Sequence, residues 1–109
     1  MDANAVTLTG TLADAEPLRH TPAGLPLLYF KLAHQSWQIE AGFKRQVECV
    51  VNCVALGDSA TQLCRARNGD RIRVTGFLNR KNRMSAQLIL HVTNAQSLKG
   101  THHAKTGTE

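Results

Sequence analysis

Apolar and polar residues alternate with a period of two along much of the chain, and that pattern predicts strands. In residues 6–12, Val6, Leu8 and Leu12 share one side with Gly10, and Thr7, Thr9 and Thr11 take the other. Threonine suits the outer side because its β-branch favours an extended backbone. Gly10 on the apolar side marks a bulge or a place where a neighbouring strand crosses closely. Thr21-Pro22-Ala23-Gly24 reads as a tight turn. A second strand spans about 27–34, with Leu28, Phe30 and Leu32 alternating against Tyr29, Lys31 and Ala33. Residues 35–45 are polar around Gly42 and predict a long hairpin loop. In residues 46–56, Val47, Cys49, Val51 and Cys53 oppose Glu48, Val50, Asn52 and Val54. That second face is half apolar, which implies curvature, a barrel or a subunit interface.

The period then changes. Ala60, Leu63 and Cys64 are spaced for one face of a short helix over 58–67, with Asp58 as its N-cap and Asn68-Gly69 as its stop. Alternation returns in 70–79, where Ile72, Val74 and Gly76 oppose Arg71, Arg73, Thr75 and Phe77. Residues 80–85 form a basic turn. In the last strand, 86–96, Leu88, Leu90 and Val92 face one way and Ile89 and His91 the other. The fold class is therefore all-β. Five short strands with one helical segment after the third is the order of an OB-fold, a small Greek-key barrel. An SH3-like barrel or a simple sandwich shares much of this periodicity. The domain is expected to span 1–99. From Gly100 the chain loses its apolar period, so 100–109 is expected to be a disordered tail.

Charge adds a direction to this picture. The 109 residues carry a formal charge of +5. Residues 1–40 hold two bases, Arg19 and Lys31, against four acids, a net of −2; the remainder holds eleven against four, a net of +7. That asymmetry points to nucleic acid or another anionic surface. No apolar run approaches the roughly 18 residues of a membrane span, and the N-terminus lacks a secretory pattern. Three cysteines make no disulfide framework, so a cytoplasmic protein with reduced thiols is expected.

Catalysis finds no support in the motifs. There is no glycine-rich phosphate loop, no metalloprotease helix and no pair of acids, so no catalytic residue or cofactor is assigned. Cys49 and Cys53 lack the second close pair that a zinc site needs, so no metal is assigned and the cysteines are expected to be buried as small hydrophobes.

The candidate residues instead suit a nucleic-acid strand. Arg80, Lys81 and Arg83 crowd one turn, where they can meet phosphates and release counterions; an ordinary solvated hairpin has the same composition. Arg71 and Arg73 share a strand face with Phe77, a cation–aromatic platform unless Phe77 closes the core. Trp37, the single tryptophan, stands in the polar 35–45 stretch. It is placed either to stack on a base or to pin the loop to the barrel. Lys44 and Arg45 end that stretch, and Arg19 and His20 follow the first strand. Tyr29 and Lys31 are weaker candidates for the same surface.

Several segments resemble the family of primosomal replication protein N, PriB, which is related to bacterial single-stranded DNA-binding proteins. They are Leu8-Thr9-Gly10-Thr11, Pro17-Leu18-Arg19, Thr21 to Pro26, His34-Gln35-Ser36-Trp37-Gln38, Glu40-Ala41-Gly42-Phe43, Arg45-Gln46, Gly76-Phe77-Leu78 and Leu90-His91-Val92. The resemblance runs from about residue 5 to 99. It implies a five-stranded OB-fold, a homodimer and no enzymatic activity. It also implies single-stranded DNA, the restart helicase PriA and the primosome loading factors as partners in replication restart. The family's basic loop is matched by Arg80, Lys81 and Arg83, and another basic position falls at or beside His20. A stacking tryptophan of some members falls on Glu48, and a basic position on Gln35, so this chain lacks both of those side chains. The alternative is a dimeric adaptor of the restart helicase with only weak, secondary DNA binding; a cold-shock-like RNA binder is a third reading.

Overall fold

The computed structural model describes residues 1–98; the expected tail lies outside the described residues. Five long strands and one two-residue strand form a single sheet: β1 Val6–Ala13, β2 Arg19–His20, β3 Pro26–Glu40, β4 Phe43–Leu56, β5 Arg71–Arg80 and β6 Leu88–Ser97. One helix, α1 (Asp58–Leu63), lies between β4 and β5. The order across the sheet is β1-β5-β6-β4-β3-β2, and β1 pairs with β3 as well, which closes the barrel. All pairings are antiparallel except β4 with β6, where Cys53–Ala55 run beside Leu90–Val92. With β2 set aside as a short flap, this is the five-stranded OB-fold with its helix after the third long strand.

The period-two pattern fills the interior as expected. Leu12, Leu32, Ile72, Val74 and Leu90 are almost wholly buried. Ala60 and Leu63 of α1 join them, and the Ser59 hydroxyl donates to the Val92 carbonyl at 2.9 Å, fixing the helix across one end of the barrel. The helix is shorter than its apolar spacing suggests. Its cap is Gly57 with φ 79°, not Asp58, which is the first helical residue and makes no side-chain cap. An acid in the first turn still complements the helix dipole.

The stretch 35–45 is the main departure. It is strand on both sides of a two-residue turn, Ala41 (φ 52°) and Gly42 (φ 82°). Two successive left-handed residues match the right-handed twist of a hairpin. β3 meets β1 only at Lys31–Ala33, and β4 meets β6 only at Cys53–Ala55. Beyond those points the two strands pair with each other alone, as an overhang of about 23 Å for the seven pairs from His34 to Glu40, at about 3.3 Å per residue. His34 still reaches β1, its ring nitrogen 2.7 Å from the Thr9 carbonyl oxygen, but among the described residues the hairpin farther out is largely exposed, so the sequence there has little reason to alternate.

Two glycines allow the closure. A Cβ at Gly10 would overlap the Ala33 carbonyl oxygen, and one at Gly76 would overlap that of His91 more severely still. Gly10 is thus a close strand crossing. Gly76 lies at a register shift between β5 and β6. Both obstacles are backbone, which cannot step aside as a flexible side chain can. Gly76→Ala and Gly10→Ala should each destabilise the fold by about 2 kcal/mol or more. Urea unfolding checks this, and Gly24→Ala serves as comparison, since only its left-handed φ, and no neighbour, resists a side chain there.

Candidate nucleic-acid interface

The outer face of the sheet carries a cross-strand row. Phe77 is in register with His91, His91 with Val54, and Val54 with Tyr29. The Phe77 and His91 rings stack with centroids 4.9 Å apart and planes 4° from parallel. At the other end, the Arg19 guanidinium lies 5.6 Å from the centre of the Tyr29 ring. Val54 and Ile89 are buried between them yet stand outside the main core, forming an apolar floor. The half-apolar outer face of β4 therefore serves a groove.

Two connections wall this groove. The first runs from β1 to β3 and includes β2, whose Arg19 and His20 pair with Leu27 and Pro26. It is held by the expected turn, where the Gly24 N–H donates to the Thr21 carbonyl at 2.8 Å. The second is the loop 81–87, closed by a bond from the Lys81 N–H to the Gln87 carbonyl at 2.8 Å and by the Asn82 side chain, which accepts from the Met84 N–H at 2.9 Å. Between the walls lies an open hollow of about 530 Å³ lined by Arg19, Tyr29, Val54, Lys81 and His91 among others. A second hollow of about 300 Å³ shares Tyr29, Lys81 and Ile89 with it and extends the groove to Lys31 and Asn52.

The candidates from the sequence fall in three places. Arg19, Lys81 and Phe77 belong to the groove, with His20 exposed beside Arg19 and Arg80 and Arg83 exposed around the loop. Among the described residues Arg80, Lys81 and Arg83 form no ion pair, so their charge is available. Trp37 and Lys44 lie on the hairpin overhang, the ammonium 4.9 Å from the ring centre. Trp37 is 60 % exposed and does not pin a loop to the barrel. Arg45 is bonded to Glu40 at 2.9 Å. Arg71 lines a separate hollow of about 390 Å³ with His34 and Glu48, while Arg73 donates to the Thr9 hydroxyl at 3.4 Å. The platform of Arg71, Arg73 and Phe77 is thus divided, and only Phe77 reaches the groove. Glu48 accepts from Gln35 and lies six residues along β4 from Val54, about 20 Å away. Val54, Ile89, His91 and Asn82 were not among the candidates. Ile89 and His91, on the second face of the last strand, were the available signal.

The geometry has counterparts among known proteins. A family model described as another single-strand binding protein family matches residues 4–94. The replication restart protein PriB of Nitrosomonas europaea is 41 % identical over 93 residues, covering 85 % of this chain and 86 % of its own length. PriB of Neisseria gonorrhoeae is 38 % identical over 97 residues, 89 % of this chain and 96 % of its own. The solved structure of PriB from Ralstonia solanacearum superposes with a TM-score of 0.81 at 31 % identity, over 89 % of this chain and 99 % of that one. The single-stranded DNA-binding protein of Thermus aquaticus gives 0.71 at 29 % identity, over 92 % of this chain and 52 % of that one.

The chain belongs to the PriB family. The relatives that carry that name are replication restart proteins.

In this PriB-family barrel the cysteines are not uniformly buried, as the sequence had suggested. Cys53 is in the core, but Cys49 and Cys64 are exposed. Cys49 lies at the base of the overhang, where it lines the open hollow with Thr11 and Arg71 and not the core. Among the described residues no group of three or more His, Cys, Asp or Glu could hold a metal ion. Burial pushes the Cys53 thiol up to about 12, because the thiolate would lose its solvation. In mildly alkaline buffer a thiol-alkylating reagent should therefore modify Cys49 and Cys64 in the folded protein and Cys53 only after unfolding, as peptide mass mapping would read.

Proposed function

We propose that the chain binds single-stranded DNA in the groove between β2 and the loop 81–87. It does so as a homodimeric, cytoplasmic accessory that engages the restart helicase PriA and helps load the replicative helicase. The observation that carries this reading is the row Phe77, His91, Val54 and Tyr29 with Arg19 and Lys81 on its flanks. Flat rings and an apolar floor can meet base faces only when those faces are unpaired, and cations at the rims suit the phosphates on either side. A duplex hides its base faces and would meet the rims alone. The relatives named as PriB supply the setting, replication restart.

The binding test is fluorescence anisotropy with labelled poly-dT, duplex DNA and RNA across a salt series. The single strand should bind more tightly than the duplex, and affinity should fall as salt rises. Replacing Arg80, Lys81 and Arg83 together by Ala should reduce the slope of log K against log salt by about two, at about 0.7 for each phosphate left unneutralised. Tyr29→Ala should weaken binding about 5- to 150-fold, the range for removing one base stack. No binding even at low salt would remove this reading.

The hairpin overhang favours a second reading, a dimeric adaptor in which protein contact dominates. Trp37, Ile39 and Phe43 are exposed on it beyond the barrel, and Glu48 adds an acid. Pull-down of PriA at a salt concentration that abolishes DNA binding separates the two. Retention there, abolished in Trp37→Ala, supports the adaptor; release of PriA while DNA still binds speaks against it. Sedimentation of the free protein at micromolar concentration should give twice the mass of one chain.

A further inference from the structure

The groove already contains anions of its own. The Glu16 carboxylate lies 2.6 Å from the Arg19 guanidinium, and the Asp14 carboxylate 3.7 Å from the Lys31 ammonium. These are two of the cations that a bound strand would use, and both acids line the hollows described above. Their placement is built into the backbone. Asp14 is one of two non-glycine residues among those described with a left-handed φ, at 47°, where the chain turns sharply out of β1. The next two residues are pinned to the barrel: the Ala15 N–H donates to the Asn68 side chain at 3.1 Å, and the Glu16 N–H to the Tyr29 carbonyl at 2.9 Å. That carbonyl belongs to the tyrosine whose ring carries Arg19. The carboxylates are thus held beside the groove's cations from a fixed backbone.

The geometry points to Asp14 and Glu16 as internal competitors for phosphate, which set how tightly this groove holds a single strand. The inference rests on the groove being the DNA site. Each pair is half exposed and therefore weak, so a strand can displace the carboxylate. The displaced acid remains nearby, and an arginine partly neutralised in this way cannot fully replace the counterions at a phosphate. Wild-type binding is then weaker, and its salt slope shallower, than the number of cations around the groove implies. Lys81 and the loop cations Arg80 and Arg83 have no such partner among the described residues, so the loop should dominate the electrostatic part of binding.

Glu16→Gln, Asp14→Asn and the double variant test this by poly-dT titration over a salt series, with circular dichroism to confirm the fold. Each single substitution should tighten binding at low salt about two- to fivefold, the scale of one exposed ion pair. The double variant should also steepen the salt slope, by up to about 1.4 at about 0.7 per phosphate freed to pair fully. Asp58→Asn is the charge-matched control, since it removes one acid from the exposed start of α1, outside the hollows. It should change affinity less than twofold. An equal gain in Asp58→Asn and Glu16→Gln would reduce the effect to net charge and overturn the inference. Unchanged affinity and slope in the double variant would overturn it too, while leaving the groove as the DNA site. Failure of the wild type to bind at all would remove the site itself.

Discussion

Everything in this molecule depends on the crossing of β1 over its two neighbours. Thr11 pairs with Arg71 of β5 and with Ala33 of β3, so the strand changes partner at that point. A strand can serve two edges only by bending sharply between them, and the backbones then approach within side-chain distance. Gly10 permits that approach on one side, against the Ala33 carbonyl. Gly76 permits another at the shift between β5 and β6. Just past that shift, Phe77 faces His91 across the sheet. The closure that seals the core therefore also sets the aromatic end of the groove.

The barrel was legible because its core strands have one dry and one wet face. Leu28, Phe30 and Leu32 alternate with Tyr29, Lys31 and Ala33, and burial follows the alternation. The pattern fails where that physical reason fails. Beyond His34 both faces of the hairpin meet solvent, so strand and loop look alike in composition, and the turn Ala41-Gly42 lacks the stronger Asn-Gly signal. Trp37 lies on β3 although the composition around it reads as loop. The groove's lining was legible only in part. Arg19 and Lys81 could be selected by charge and position, but register brings Val54 and His91 together from strands more than 30 residues apart. No local pattern carries that information. Arg71 and Phe77 show the same limit in reverse: they share a strand face in sequence, yet on either side of a register shift Arg71 lines the hollow beside His34 and Phe77 stacks on His91.

The charge asymmetry also takes a different meaning in three dimensions. Most of the positive charge lies after residue 40, and along the chain the acids of the first part read as solvated surface. The fold brings the two together. The connection after β1 carries Asp14 and Glu16 over the sheet to the cations Lys31 and Arg19, while the strongly basic loop 81–87 approaches from the opposite wall. A net charge of +5 therefore overstates the field at one rim of the groove and understates it at the other.

A small barrel has little interior to give to a binding site, and the groove needs none of it. Val54 and Ile89 are buried outside the central cluster and line the hollow with Tyr29 and Lys81. The two surface connections beside them are held by a handful of backbone bonds. A floor of that kind is apolar and shielded, yet the hollow above it is open to solvent. It also explains why β4 is apolar on both sides near its end and polar beyond it. The outward valine at 54 lies beneath the groove, whereas the outward valine at 50 is 64 % exposed. The change between them marks where the groove stops and the overhang begins.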